Sequence, residues 1–113
     1  MTKAAIVILA GTDGHENMAR VTNALQAAKE FKQAGDELEL IFDGAGTQWI
    51  EKLENQDHDL HEVYSQVSED SKACSFCSSA FEADIGEVEE SGEYKGHPSF
   101  REMVDEGYEV MTF

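Results

Sequence analysis

The chain has 113 residues, a length that builds one domain (1–113) around its own hydrophobic core without disulfide or metal staples. Its 24 Asp and Glu against 8 Lys and Arg leave a formal net charge of −16, which disfavours nucleic acid as a partner because phosphates would add repulsion to an anionic surface. No apolar run approaches the roughly eighteen residues of a membrane helix, and Met1-Thr2-Lys3 leads straight into a short apolar run without a signal peptide's pattern, so a soluble, cytoplasmic protein without membrane partners is expected.

The acids are spread along the chain and the apolar periodicity is intact, so disorder does not account for them. They predict a surface adapted to multimolar salt, as in an extreme halophile's cytoplasm, where screening relieves self-repulsion.

Ala4 to Ala10 is a continuous apolar run of strand length, as expected for a strand covered on both faces in a parallel sheet. Gly11-Thr12-Asp13-Gly14 breaks it. From about Glu16 to Ala34, Met18, Val21, Leu25, Ala28 and Phe31 recur at helical spacing, and Gly35 is placed to close the helix. Glu37 to Phe42 then predicts a second strand, which makes a right-handed βαβ unit of the first 42 residues.

Asp43-Gly44-Ala45-Gly46 is the next turn, followed by a short helix over Thr47–Leu53, a polar stretch to residue 60 and further helical turns over His61–Gln66. A short buried strand is expected to end at Ala73 or Cys74, with a helix starting at Ser75. Residues 82–96 are acidic and weakly patterned, with a fourth strand expected near Glu93-Tyr94. Pro98 suits the first turn of a helix to about Glu106, Gly107 closes it, and Tyr108–Phe113 reads as a last strand. Strands alternating with helices predict a three-layer α/β/α sandwich with a mainly parallel sheet.

Both cysteines stand together as Cys74-Ser75-Phe76-Cys77, at the expected strand-to-helix turn. Unpaired amides and the helix dipole favour thiolate there, so Cys74 is expected as a solvent-facing anion and the pair as a redox or sulfur-transfer dithiol. Two other readings stand beside it: zinc bound with His58 and His61 of His-x-x-His, or two buried thiols acting as small hydrophobes. Ligands of such sheets sit outside the carboxyl ends of the strands, where Gly11–Glu16, Asp43–Thr47 and Cys74–Ser78 converge.

Gly11, Thr12, Asp13, His15, Gly44, Ser75 and Ser78 are accordingly candidate binding residues, with His15 a candidate proton shuttle. The first loop lacks a Gly-x-Gly-x-x-Gly fingerprint, and Asp13 and Glu16 would repel phosphate, so neither nucleotide nor flavin is expected there. No cofactor and no metal is assigned. Trp49, Phe76 and Phe81 either cover the thiols, form a subunit contact or pack in the core; His97 flanks its helix or faces the site.

In succession, the first strand with Gly11-Thr12-Asp13-Gly14, the second strand with Asp43-Gly44-Ala45, the strand-Cys74-Ser-Phe-Cys77 turn and the closing Gly107–Phe113 resemble the DsrE/DsrF/TusD-like family over nearly the whole chain. The resemblance implies a Rossmann-like α/β/α fold with a five-stranded, mostly parallel sheet. It also implies homo-oligomers, often trimers or hexamers, and sulfur relay between donor and acceptor proteins. By it, Cys74 is the reactive cysteine at the end of the third strand and Cys77 the second cysteine. Many members continue to Arg-Gly seven and eight residues after the first cysteine, where this chain has Phe81 and Glu82. The alternative is a non-catalytic oligomeric binding protein of the same fold, and less so a zinc module.

Overall fold

The computed structural model describes residues 1–113. Its centre is a five-stranded sheet, all parallel, in the order β4-β3-β2-β1-β5. Strand β1 (Lys3–Ile8) lies between β2 (Glu37–Phe42) and β5 (Glu109–Thr112), and every one of its residues from Ala4 to Ile8 is buried, as its unbroken apolar run requires. It ends earlier than expected: the N–H groups of Leu9 and Ala10 turn to the Phe113 carbonyl at 2.8 and 3.2 Å, which takes both residues out of the ladder.

Alternate strand residues face two unequal layers. Ile6, Ile8, Leu40 and Phe42 point into the larger core, built with α1 (Gly14–Gln33), α2 (Trp49–Glu54) and α3 (His61–Val67). Each such fully buried large side chain contributes about 1.5–3 kcal/mol. Ala5, Val7 and Ile41 point the other way, against Met103 of α5 (Phe100–Asp105). The strand order explains this division. It runs β1 to β4 in one direction, then returns to place β5 on the far side of β1, and a right-handed crossover taken in the reverse direction carries its helix to the opposite face.

Strand β3 (Ser71–Cys74) pairs with β2 through Leu40↔Ser71 to Phe42↔Ala73, and α4 (Ser75–Ala80) follows it at once. The fourth strand, β4 (Glu89–Ser91), forms before Glu93-Tyr94, because Glu89 to Ser91 can pair with Lys72 to Cys74 while Tyr94 makes only an isolated bridge with His97. Helix α5 starts at Phe100 and not at Pro98: Ser99 is its cap, with Oγ accepting from the Glu102 N–H at 3.4 Å. No helix is long and apolar enough to cross a membrane.

Candidate functional site

At the carboxyl edge of β2 and β3, two caps set the geometry. Asp43 precedes the 3-10 turn Gly44–Gln48, its Oδ1 accepting from the Gly44 N–H at 2.8 Å. That turn packs on the end of β1, where a Cβ on Gly46 would lie 2.0 Å from the Ile8 carbonyl oxygen, so only glycine fits. Cys74 caps α4 in extended backbone, and its Sγ accepts from the Cys77 N–H at 3.4 Å. The buried Ser78 hydroxyl donates to the Cys74 carbonyl at 2.7 Å and fixes the same turn.

The two thiols meet different partners. Cys77, half-buried, donates to Oδ1 of Asp43 at 3.3 Å. Cys74 is 0 % exposed, with Sγ 3.4 Å from the Gly96 carbonyl oxygen and 3.3 Å from Nδ1 of His97. The segment after β4 therefore closes over it. Gly96 adopts φ +87°, and its carbonyl also accepts from the Phe76 N–H at 2.8 Å. The His97 ring lies against that of Phe76, centroids 4.8 Å apart. One ligand-capable atom from each of Asp43, Cys74, Cys77 and His97 lies within 4.8 Å of the other three.

A solvent-facing thiolate at Cys74 is not what this geometry holds. Burial pushes the Cys74 thiol up to about 12, outweighing the Cys77 N–H, which favours the anion; the neighbouring Cys77 side chain and the Asp43 carboxylate push in the same direction as burial. Helix α4 has six residues, and its Phe76 amide is already taken by Gly96, so one amide remains on the sulfur where several were expected. The neutral thiol is the resting form.

The other expected residues divide. Gly44 orients Asp43, and Ser75 donates to Glu90 at 3.3 Å, on the flank of the cluster. Gly11 lies against Ala45, its carbonyl accepting from Nε1 of Trp49 at 2.8 Å. Thr12 lines a groove of about 380 Å³ with Phe81 and Glu82, and Asp13 and His15 are exposed at the start of α1; none of the four joins the thiol cluster. His58 and His61 sit at the α2–α3 junction, His58 Nδ1 accepting from the Leu60 N–H at 3.0 Å and His61 Nδ1 2.8 Å from the Leu53 carbonyl, apart from the cysteines. Trp49 is core, whereas Phe76 and Phe81 are exposed.

Spacing alone places Asp43 only as the start of a turn that converges on the site edge, and leaves His97 to flank its helix or face the site. The available signal for Asp43 was an acid directly at the carboxyl end of a strand beside the one that carries the cysteines. For His97 there was only its place before a proline, next to a glycine, in a segment without pattern.

A family model described as the DsrE/DsrF-like family matches residues 3–113. The chain is also similar to the uncharacterized protein MJ0733 of Methanocaldococcus jannaschii, 30 % identical over 98 residues that cover 84 % of this chain and 81 % of that protein. No solved structure matches.

Proposed function

Because this chain belongs to the DsrE/DsrF-like family, in which sulfur relay is common, we propose that it is a sulfur-relay protein whose persulfide is carried on Cys74 and resolved by Cys77. One set of contacts supports the reading: Sγ of Cys74 lies 3.3 Å from Nδ1 of His97 and 3.4 Å from the Cys77 N–H, a nucleophile beside a base and a donor. His97 takes the thiol proton when the donor engages. The Cys74 thiolate attacks the outer sulfur of the donor persulfide, the S–S bond of the donor breaks, and the donor leaves as thiolate.

From Cys74–S–SH two exits are open. An acceptor thiolate removes the outer sulfur and returns Cys74 to thiolate; or Cys77 attacks the inner sulfur, forming the Cys74–Cys77 disulfide and releasing hydrogen sulfide, after which an external dithiol restores the pair. Asp43, 3.3 Å from Cys77 Sγ, is placed to accept the proton of the second route. Donor and acceptor are proteins in this reading, and the chain works as a homo-oligomer, a trimer or hexamer measurable by light scattering.

The test is intact mass after incubating reduced, chelator-treated protein with a low-molecular-weight persulfide donor. Gain of one sulfur atom is expected, absent in Cys74→Ser and longer-lived in Cys77→Ser. A gain that survives in Cys74→Ser, or none in the native protein, sinks the assignment. The enclosure of Cys74 favours a second reading, a binding protein of the same fold; thiols that stay unreactive until denaturation would support it.

A further inference from the structure

We infer that Asp43, Cys74, Cys77 and His97 form a binding site for Zn²⁺, with Oδ1, the two Sγ atoms and Nδ1 as its tetrahedron. The donor set is two sulfurs, one imidazole and one carboxylate, the borderline-soft mixture that zinc takes and that the hard cations Mg²⁺ and Ca²⁺ do not. A zinc tetrahedron with ordinary bond lengths has edges of roughly 3.3–3.8 Å. Two edges already stand at 3.3 Å, Cys74 Sγ to His97 Nδ1 and Cys77 Sγ to Asp43 Oδ1, and one donor atom from each of the four residues lies within 4.8 Å of the others. A closing movement of about an ångström completes the figure.

Without an ion the two sulfurs carry protons, that of Cys77 donated to Asp43 Oδ1 and that of Cys74 facing the Gly96 carbonyl oxygen and Nδ1 of His97. Zn²⁺ replaces them: two S–H bonds break, two Zn–S bonds form, two protons leave to solvent, and the carboxylate and the neutral imidazole add without further proton loss. The outer contacts that orient such ligands are in place. The Cys77 N–H points at Cys74 Sγ at 3.4 Å, the Gly44 N–H holds Oδ1 of Asp43 at 2.8 Å, and the Phe76 ring braces His97. Cys-x-x-Cys supplies its two ligands from one turn, and the other two come from separate segments, so a bound ion ties the segment over the thiols to the ends of β2 and β3.

This set is distinct from the one that His58 and His61 would offer. All four positions belong to the protein, which marks a structural or regulatory ion and not one that activates water. One consequence rests on the sulfur-relay reading: an ion on both sulfurs suspends persulfide loading until it is removed.

The experiment titrates reduced, chelator-stripped protein with Co²⁺ as a spectroscopic probe, then displaces it with Zn²⁺. One equivalent of Co²⁺ is expected, with thiolate-to-cobalt charge-transfer absorption and the intense visible bands of a tetrahedral ion. Cys74→Ser and Cys77→Ser each abolish the charge-transfer pattern of two thiolates. His97→Ala and Asp43→Asn weaken affinity by at least about tenfold, and His58→Ala and His61→Ala leave it unchanged. No binding, or equal affinity in His97→Ala and Asp43→Asn, overturns the site. Should those variants misfold, X-ray absorption of the zinc-loaded native protein decides: two sulfurs and two nitrogen or oxygen neighbours are required, and any other shell overturns it. Sulfur uptake by stripped protein is read separately, so metal binding without uptake sinks only the relay, and uptake without metal binding sinks only this site.

Discussion

The thiol pair lies between a floor and a cover built on different principles. The floor is the carboxyl edge of β2 and β3: Ile41, Phe42, Ala73 and Cys74 are fully buried, the strands pair in register, and Gly46 is wedged on the end of β1. The cover, residues 92–98, is held by the Tyr94–His97 pair of backbone bonds, by Gly96 O on the Phe76 N–H, and by the contacts to Cys74; Tyr94 on it is 62 % exposed. Opening the floor means unfolding the sheet, whereas opening the cover costs a few hydrogen bonds. The Cys74 thiol is thus shielded by a segment held through a few hydrogen bonds.

The largest expected effect breaks the floor. Gly46→Ala places a methyl 2.0 Å from the Ile8 carbonyl, and loss of about 2–3 kcal/mol or more is expected in urea denaturation, with displacement of Asp43. A variant as stable as the native protein would show that the floor yields.

Alkaline pH probes the enclosure next. The folded Cys74 thiol titrates at about 12 against an ordinary value of 9.0, so between these the unfolded chain loses the proton first and the folded chain binds more protons. Stability contributed by the neutral thiol is therefore complete below about pH 9 and is lost as pH rises toward 12. Denaturation midpoints should fall across that window in the native protein and fall less in Cys74→Ala. In the same window the alkylation rate of Cys74 should keep climbing.

Gly96→Ala sharpens the contrast from the other side. At φ +87°, with its added Cβ 3.1 Å from Phe76 Cβ, alanine is strained by about 1–3 kcal/mol, spent on the cover alone. Alkylation of Cys74 at neutral pH should speed up roughly 5–150-fold, and the unfolding midpoint should fall by no more than that same strain accounts for. Alkylation that steepens with urea as strongly as global unfolding does would mean that cover and floor are one cooperative unit.

The smallest effect is that of salt. Glu87, Glu89, Glu90 and Glu93 crowd the β4 edge beside the cover, within a chain of net charge −16. Raising KCl to multimolar levels should raise Tm by several degrees and slow amide exchange over residues 87–99 beyond the slowing that the rise in global stability gives β1 and β2. A flat or falling Tm would refute the adaptation to salt.

Much of this molecule is written in local pattern. Ala4 to Ile8 reads as a doubly covered strand because both faces are in fact covered, and Val21, Leu25 and Ala28 mark the buried stripe of α1. Cys74 and Cys77 read as a strand-to-helix turn because the cap and the helix follow directly in sequence. Where pattern is weak the expectation drifts: Glu89–Ser91 is an edge strand of mostly exposed residues with no apolar signature, and the start of α5 depends on a serine cap that Pro98 obscured.

The amino-acid order alone determined the parallel α/β architecture, the place of the dithiol at a strand end and the anionic surface, since each follows from spacing or composition along a few neighbouring residues. Tertiary structure alone decided that Cys74 is enclosed, and that Asp43 and His97, 31 residues before and 23 after it, stand within 3.3 Å of Cys77 and Cys74 respectively. Those contacts arise where separate connections fold back over one sheet edge. A thiol's ionisation depends on the groups that surround it in space, which no local spacing records.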